Sequence, residues 1–410
     1  MSLNTEIGTA ITDTLAEAVA DYEDFHRSPE LSMQEIETAK AIADRLEALG
    51  LVPQAFGGTG VVAVIENGEG PVVAFRADTD GLPIAEDTGL PYSSTAEGIL
   101  PDGTTTPVMH GCGHDTHITV GLHLARALTA HRDAWSGTVV LLFQPGEEIA
   151  AGAKAMLEDG LWETVPKPEV VYGQHVWPGR AGDIYVSSGT AMAMSDSLRV
   201  TVRGRQAHGS QPENAIDPIV LGAFMITRLQ TVVSREISGR DAAVVTVGTF
   251  HGGLKENIIP ETAEFTLNIR TFDEDVRATV LDRVRRIIAA EAQASGAPEP
   301  IIEEMHSFPR CFNDPDATAA FVSATEAELG AAHVHVVPAV TGSEDVGAFA
   351  DAIGVPLVYW FFGGYSPASL DGDEPPAGNH SPHFAPDDVP TTLETGLRAA
   401  LTAVLSRIGK

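Results

Sequence analysis

The sequence predicts an α/β fold that is interrupted by an inserted domain, and three features of the chain lead to this prediction. Short apolar runs typical of buried strands alternate with amphipathic helical stretches over most of the 410 residues. Between about residues 190 and 303 this rhythm changes to the order β-α-β-β-α-β, which is that of a ferredoxin-like unit. Beyond residue 303 the first pattern resumes. We therefore expect one domain formed by residues 1–189 and 304–410, and a second formed by residues 190–303.

The segment before the insertion is predicted to alternate helices and buried strands. Apolar positions at helical spacing predict a helix over residues 5–27. Ser32, with Glu35 three residues later, predicts a capping box for a second helix that ends at Gly50. Apolar runs bounded by turn residues predict strands at 61–65, 72–75, 138–143 and 170–172, with a helix over 118–130.

The inserted and C-terminal segments follow two different patterns. Leu198, Val200 and Val202 alternate with polar residues, which predicts a half-exposed strand. The other elements predicted for the insertion are helices at 215–235 and 274–294, with strands at 243–250, at 263–270 and from 301. After the insertion we expect helices at 317–329, 345–352 and 389–408, strands at 334–337 and 356–362, and a long loop at 363–388. A loop of this length is usually functional.

The charge and the cysteine content exclude several classes of partner. The chain carries 57 Asp and Glu against 25 Lys and Arg, a formal net charge of −32. Such a chain repels nucleic-acid phosphates and anionic membranes, and self-repulsion that keeps it soluble best explains the acid excess. No apolar run is long enough for a membrane span. Two cysteines, Cys112 and Cys311, give no disulfide framework, which favours a cytoplasmic location.

The stretch from Met109 to His117 concentrates groups that bind transition metals. It holds one thiol, three imidazoles and one carboxylate, and an apolar helical run follows it at once. By itself, a Cys-x-His pair in a loop binds one zinc ion or no metal at all. The interpretation as a metal site depends on further groups downstream.

Those further groups lie at predicted strand ends and in loops. Asp78 and Asp80 follow one strand, and Glu147 with Glu148 follows the buried strand 138–143. His175 lies just beyond another predicted strand, and His380 lies in the long loop. Each has a simpler alternative: a solvated strand end for the aspartates, a solvated helix start for the glutamates, and a structural role for a lone histidine. Because ligand sites in open α/β sheets form at the carboxyl ends of strands, we favour convergence of these groups.

A mixed Cys/His/Glu set suits one or two ions of zinc, manganese, cobalt or nickel, and does not suit magnesium or calcium. A bound metal lowers the pKa of a water molecule from 15.7 to about 7. An acid beside a ligating acid is well placed as a general base. We therefore assign Glu148 to the metal and Glu147 to proton transfer.

The motifs resemble those of the M20 metallopeptidase family, in the amidohydrolase branch that includes hippurate hydrolases, N-acyl-L-amino-acid amidohydrolases and plant auxin-conjugate hydrolases. The matching segments are residues 26–32, 76–80, 109–115, 143–148 and 342–345. The resemblance covers nearly the whole chain. It implies a mixed-sheet catalytic domain, an inserted lid and dimerisation domain at 190–303, and a homodimer. It also implies two divalent metal ions per subunit, with Glu147 as general acid and base and metal ligands at Cys112, His114, Glu148, His175 and His380.

The resemblance suggests further roles. His208, in Gly204-Arg205-Gln206-Ala207-His208, would stabilise the tetrahedral oxyanion, and Asn257 would bind substrate. Arg270 would meet a substrate carboxylate, with a surface salt bridge as its alternative. Asp80 would orient a ligand. His110 and His117 are expected to support the site or the fold, and no role is assigned to His383.

The predicted function is a metal-dependent amidohydrolase that releases a free amino acid from an N-acyl amino acid or a short peptide. Within the same fold, the alternatives are a dipeptidase, a carboxypeptidase or an N-acetyl-diaminopimelate deacetylase. A non-catalytic metal- or ligand-binding protein is the alternative of another class, and Glu147 argues against it because a binder has no need of a base. A single-metal site is also open.

Overall fold

The computed structural model describes residues 5–372 and 374–410. The chain divides into two compact units. The first contains residues 1–191, 311–339 and 345–410, and the second contains residues 192–310 and 340–344. Among the described residues, no helix is long and apolar enough to cross a membrane.

The predicted helices all occur in the predicted order, and three further short helices, Gly152–Glu158, Leu161–Thr164 and Pro367–Leu370, were not predicted. The longest helices have clear amphipathic faces. In chain order they are α1 (Thr5–Arg27), α2 (Ile36–Ala48), α3 (His114–Ala130), α4 (Gly152–Glu158), α5 (Leu161–Thr164), α6 (Pro218–Thr231), α7 (Glu274–Ala294), α8 (Pro315–Leu329), α9 (Gly347–Asp351), α10 (Pro367–Leu370) and α11 (Val389–Ile408).

The strands include several short ones that no sequence pattern indicated. In chain order the strands are β1 (Gln54–Phe56), β2 (Gly60–Asn67), β3 (Val72–Asp78), β4 (Glu97–Ile99), β5 (Thr105–Pro107), β6 (Gly137–Gln144), β7 (Val170–Arg180), β8 (Ile184–Val186), β9 (Gly189–Met192), β10 (Met194–Arg203), β11 (Ala207–His208), β12 (Ala243–Gly252), β13 (Ile258–Ile259), β14 (Thr262–Thr271), β15 (Ile301–Phe308), β16 (Cys311–Asn313), β17 (Val334–Val336) and β18 (Leu357–Tyr365).

The main sheet of the first unit has the strand order β1-β2-β6-β3-β7-β18-β8-β17. Its central strands β6, β3, β7 and β18 are parallel to one another. On either side, β2 runs antiparallel to β6 and β8 runs antiparallel to β18, so the sheet is mixed. This confirms the predicted α/β fold class. The parallel register brings the carboxyl ends of the central strands to one edge of the sheet.

Burial on both faces explains why the central strands are continuous apolar runs. Every residue of β18 is buried, and Val139 to Phe143 in β6 are at most 1% exposed. Helices α1, α3 and α11 pack together on one side of the sheet, and Phe321 of α8 stacks on Trp360 at a ring distance of 4.3 Å. A rigid, dry sheet of this kind holds the residues at its edge in fixed positions.

The second unit is a four-stranded antiparallel sheet in the order β12-β14-β10-β15. Helices α6 and α7 pack on one face of it, and the alternating residues Leu198, Val200 and Val202 point into the resulting core. The element order is the predicted β-α-β-β-α-β, with the additional short pair β11 and β13. Strand β15 continues to Phe308, past residue 303.

The predicted capping box at the start of α2 is wrong. The helix begins at Ile36, and the Glu30 carboxylate caps it by accepting hydrogen bonds from Glu37 N at 3.2 Å and Thr38 N at 2.8 Å. Ser32 Oγ donates to Asp80 Oδ2 at 2.7 Å instead, and the Glu35 carboxylate accepts a hydrogen bond from Gly146 N at 2.8 Å. Both side chains are used in long-range contacts, which a local sequence pattern does not reveal.

Two further details differ from expectation. Strand β7 runs to Arg180, so His175 lies within the strand and not beyond its end. The hairpin β4–β5 was not predicted, because its strands have three residues each and little apolar character.

Candidate metal centre

Five side chains from four segments of the chain converge at the carboxyl edge of the main sheet. Cys112 Sγ lies 3.3 Å from His175 Nε2 and 3.2 Å from His380 Nε2. Glu148 Oε1 lies 3.2 Å from the same His380 nitrogen and 3.9 Å from His114 Nε2. These are the five residues that the sequence nominated as metal ligands, and the first unit contains them all.

The turn before α3 places Cys112 and His114 on the two sides of Gly113. This glycine has a φ of 85°, in the left-handed region, and a Cβ at this position would lie 2.3 Å from Val176 Cγ1. A residue with a side chain is therefore strained here and collides with β7. The close approach brings the Cys112 and His114 backbone against the strand that carries His175.

Hydrogen bonds at Nδ1 fix which nitrogen two of the histidines present. His175 Nδ1 lies 2.7 Å from the carbonyl oxygen of Val176 and must donate to it. His114 Nδ1 lies 3.1 Å from Asp80 Oδ1. With the proton on Nδ1, each ring directs the lone pair of Nε2 into the cluster, as metal-ligating histidines do. Asp80 thus contacts the ring of one proposed ligand, and its predicted role is to orient that ligand.

His117 is close to the cluster, but both of its ring nitrogens are already used. Its Nδ1 contacts Asp78 Oδ1, and its Nε2 accepts a hydrogen bond from Val176 N at 2.8 Å. Although Asp78, His114, His117 and His175 lie close enough to hold an ion, no lone pair of His117 is free for one. The supporting role expected for His117 agrees with this geometry.

His114 Nε2 provides a test of whether a metal fits the site. This atom is buried and has no hydrogen-bond partner among the residues that the structure describes. The nearest carboxylate oxygens, Asp78 Oδ2 at 3.6 Å and Glu148 Oε1 at 3.9 Å, are too far away to accept one. An unpartnered buried polar atom costs about 1–3 kcal/mol. A cation shared with the other four ligands satisfies it, so the residues fit a metal of the zinc, manganese, cobalt or nickel type.

Burial and the neighbouring carboxylates shift the pKa values of three of the proposed ligands. Burial lowers the pKa of His114, but the carboxylates of Asp78 and Asp80 outweigh it and raise that pKa to about 10. Burial and then the Glu148 carboxylate raise the pKa of the Cys112 thiol. The Glu148 carboxylate raises the pKa of His380. The carboxylates thus give the site a negative potential, which suits a bound cation.

The buried side chain of Arg76 binds the carboxylates of Asp78 and Asp345. Arg76 is fully buried and donates to Asp78 Oδ2 at 2.7 Å, to Gln144 Oε1 at 2.7 Å and to Asp345 Oδ1 at 3.2 Å. Gln144 Nε2 donates to the same Asp345 oxygen at 2.6 Å. Asp78 was predicted to lie at the site, whereas no structural role was predicted for Arg76, Gln144 or Asp345. The available signal was a set of polar residues inside or at the end of otherwise apolar strands.

A second buried network joins α1 to the segment that precedes α3. His26 Nδ1 lies 2.6 Å from Asp115 Oδ2, and its Nε2 lies 3.1 Å from Glu86 Oε1. Glu86 also accepts a hydrogen bond from Ser94 N at 2.6 Å. The network therefore fixes the residue that follows His114.

The loop before α11 is attached to the cluster at several points. His380 N donates to Gly111 O at 2.7 Å, and His380 has a φ of 68°. His383 Nδ1 donates to the carbonyl oxygen of Asp87 at 2.7 Å. This contact gives His383 a role in holding the loop, which the sequence left unassigned.

His110 is buried and has no hydrogen-bond partner at either ring nitrogen among the described residues.

Glu147 lies beside the proposed ligands. It is 5% exposed, and its carboxylate lies within 4.8 Å of ligand atoms of His114 and Glu148. The first unit thus brings together the five nominated ligands, Glu147 and Asp80.

The remaining three nominated residues lie in the second unit. His208 is exposed on β11, and its Nδ1 accepts a hydrogen bond from Ser210 Oγ at 2.7 Å. Asn257 is its neighbour, because Asn257 O accepts a hydrogen bond from Gly209 N at 2.8 Å. Arg270 Nη1 donates to Ser343 Oγ at 2.6 Å. In the described part of the chain Arg270 has no carboxylate partner, so the surface salt bridge considered as its alternative is absent.

The α/β fold has a mixed sheet, with a Cys/His/Glu cluster at the carboxyl ends of its central strands. This combination is that of a metal-dependent hydrolase. The chain belongs to peptidase family M20/M25/M40, whose model matches residues 74–402. This membership confirms the resemblance found in the motifs, and the protein is a hydrolase of linear amide bonds.

Similar proteins belong to the same class of hydrolase. Hippurate hydrolase from Campylobacter jejuni is 39% identical over 274 residues, which are 66% of this chain and 68% of the relative. N-acetyldiaminopimelate deacetylase from Streptococcus sanguinis is 33% identical over 394 residues, 94% of this chain and 95% of the relative. The solved structure of the Bacillus subtilis YXEP protein, described as a dinuclear metal-binding M20 peptidase, aligns with a TM-score of 0.72 and 29% identity over 98% of this chain and 99% of that one.

Proposed function

We propose that the protein hydrolyses N-acyl amino acids to a carboxylic acid and a free amino acid, with two divalent metal ions per subunit. The observation that carries the proposal is the convergence of Cys112, His114, Glu148, His175 and His380 beside a buried Glu147. These five would hold the metals, and Cys112 lies in contact with two of the histidines. A bound metal would polarise the substrate carbonyl and lower the pKa of the attacking water.

Glu147 is the group best placed to move the proton. Its carboxylate is buried next to Glu148 and His114, where it can accept a proton from the attacking water. The same group then donates that proton to the leaving amine. Asp80 keeps the His114 ring oriented through its contact with Nδ1.

The second unit would supply the groups that recognise the rest of the substrate. His208 would stabilise the oxyanion, a contribution worth about 3 kcal/mol for one such donor. Arg270 would bind the substrate carboxylate, with Asn257 as a further substrate contact. The absence of a carboxylate partner for Arg270 in the described residues supports this role, because its charge is left available.

A homodimer through residues 190–303 completes the proposal, together with a cytoplasmic location. Strand β12 is at the edge of its sheet, and Val220, Phe224 and Val244 are 51%, 61% and 47% exposed. Apolar side chains and an open strand edge are suited to pairing with a second copy. Cys112 and Cys311 are not joined by a disulfide, which fits a reducing compartment.

The test is release of free amino acid from a panel of N-acyl amino acids, dipeptides and N-acetyl-diaminopimelate. The enzyme is stripped of metal and reloaded in turn with manganese, zinc, cobalt or nickel. Glu147→Gln is the matched control, because it should keep the metal and lose about 10²–10⁴-fold in rate.

Metal-dependent release from N-acyl amino acids would support the proposal. Release only from dipeptides or from N-acetyl-diaminopimelate would keep the mechanism and change the substrate, and the relationship to a deacetylase makes the latter worth including. No release by a metal-loaded enzyme would favour a binding protein. One metal ion per chain at full activity would exclude the binuclear site.

A further inference from the structure

We propose that Trp177, with Phe361 behind it, forms an aromatic surface that binds the acyl group of the substrate, and that the preferred acyl groups are therefore aromatic or long aliphatic ones. The inference rests on the proposed hydrolysis of N-acyl amino acids. It concerns residues of the first unit only.

Strand geometry places Trp177 next to the metal centre. Trp177 follows His175 by two residues in β7, and alternate residues of a strand share one face of the sheet. The two side chains are therefore separated by about 6.6 Å along the strand. Because His175 reaches the cluster, Trp177 lies just beyond it toward the carboxyl end of the strand.

Phe361 connects the two side chains into a continuous row. It is paired with His175 in the parallel register of β7 and β18. Its ring centroid lies 6.4 Å from that of His175 and 4.9 Å from that of Trp177. Phe361 is only 3% exposed, so it supports the tryptophan ring from one side.

Trp177 differs from the other tryptophans of the chain. Trp135, Trp162 and Trp360 are 0%, 4% and 0% exposed, and each indole N–H donates to an oxygen of the protein. Trp177 is partly exposed, and its N–H has no hydrogen-bond partner in the part of the chain that the structure describes. An indole with an accessible face beside reactive groups offers apolar contact area to a ligand, and its N–H offers one donor.

This surface discriminates between acyl groups by size. A benzoyl ring can stack on the indole and remove its exposed face from water, whereas an acetyl methyl group covers little of it. Losing such an apolar contact lowers kcat/KM by about 10-fold or more. Trp177 would therefore determine acyl specificity without a part in proton transfer.

The first experiment compares kcat/KM for the N-benzoyl and N-acetyl derivatives of one amino acid, with metal-loaded enzyme. In Trp177→Ala we expect at least about a 10-fold loss for the benzoyl substrate and less than about a 3-fold loss for the acetyl substrate. Trp177→Phe keeps an aromatic face and should recover most of the difference. Phe312→Ala removes an aromatic side chain of another strand, 40% exposed, and should leave the benzoyl-to-acetyl ratio unchanged. Equal losses for both substrates in Trp177→Ala would overturn the inference.

The second experiment does not need turnover. Because the other three tryptophans are buried, acrylamide quenching of intrinsic fluorescence reports mainly on Trp177. In a Glu147→Gln background an N-benzoyl amino acid should protect this fluorescence, an N-acetyl amino acid should not, and Trp177→Phe should remove the effect. If the wild-type enzyme hydrolyses neither substrate, the proposed function fails, and protection by the benzoyl compound still decides whether Trp177 binds aromatic groups. Absence of protection would overturn the inference.

Discussion

The side-chain amide of Asn379 lies 3.0 Å from the carbonyl oxygen of Cys112. The same amide lies 3.3 Å from the carbonyl oxygen of Val176, the residue after His175. Asn379 also precedes His380, which has a left-handed backbone conformation with a φ of 68° that is uncommon for a residue with a side chain. One amide thus connects three of the segments that carry the proposed ligands.

Replacing Asn379 by Ala should weaken metal binding by about 10–100-fold, the usual effect of losing a group that orients ligands. The physical reason is that the His380 loop loses its attachment to the Cys112 turn and to β7. Metal affinity is measured by competition with a chelator, so the readout does not depend on activity. Asn67→Ala is the matched control, since Asn67 also donates to two carbonyl oxygens, those of Arg132 and Trp135, away from the cluster. Wild-type metal affinity in Asn379→Ala would contradict the role.

His117 and His175 should respond in opposite ways to substitution. His175→Ala removes a nitrogen that faces Cys112 Sγ at 3.3 Å, so we expect it to lose metal. His117→Gln should keep the full metal content and lose thermal stability, because the contacts of His117 are with Asp78 and Val176 N. Elemental analysis of both variants, with melting curves, separates the two effects. Loss of a metal ion in a folded His117→Gln protein would show that the hydrogen bonds to His117 do not exclude it as a ligand.

This pair of histidines shows how far sequence reasoning reaches at the site. Residue type and position in loops or at strand ends grouped Cys112, His114, Glu148 and His175, and the family resemblance implied that all four bind metal. The choice among neighbouring histidines depends on which nitrogen is already hydrogen-bonded. For His117 that partner is a backbone N–H at residue 176, and no local pattern reveals it.

The fold shows the same division between local and long-range information. Helices α7 and α11 begin and end at the predicted residues, because their apolar spacing is regular. The capping box at Ser32 and Glu35 failed because Asp80 and Gly146, remote in the chain, take those side chains. The network around Arg76 was missed for the same reason, since it joins residues 269 positions apart.

The stability of the protein should increase with salt. At a net charge of −32 the folded chain repels itself, and this repulsion is stronger in the compact state than in the unfolded one. Raising KCl from about 0.1 M to about 1 M shortens the Debye length from about 10 Å to about 3 Å. We expect the melting temperature of the metal-loaded enzyme to rise over this range, most steeply at the low end. NaCl at the same ionic strength is the control and should give the same curve. A melting temperature that is flat or falls would show that self-repulsion is not a significant cost.

The His26 network should make stability depend on pH in a defined direction. Burial lowers the pKa of His26, but Asp115 and Glu86 outweigh it and raise that pKa from 6.5 to about 9. Burial raises the pKa of Glu86, and its hydrogen bond from His26, followed by those from Thr88 and Ser94, lowers it to about 2. The contact between His26 and Glu86 contributes to both shifts, so their free energies do not add.

The sign follows from comparing the folded and unfolded pKa values. His26 is raised, so its contribution is complete below pH 6.5 and is lost as the pH rises through about 9. Glu86 is lowered, so its contribution is present above pH 4.5 and is lost as the pH falls through about 2. The network therefore stabilises most between about pH 4.5 and 6.5.

The prediction is tested by urea unfolding at pH 6 and pH 9, in the wild type and in His26→Gln. The wild type should lose on the order of 3 kcal/mol more than the variant between these two pH values, since one pKa unit corresponds to about 1.36 kcal/mol. The comparison uses the change with pH, so a lower starting stability of His26→Gln does not affect it. All other titrating groups are common to both proteins and cancel in the difference. Parallel pH profiles for the two proteins would mean that His26 is not held in its charged form by Asp115 and Glu86.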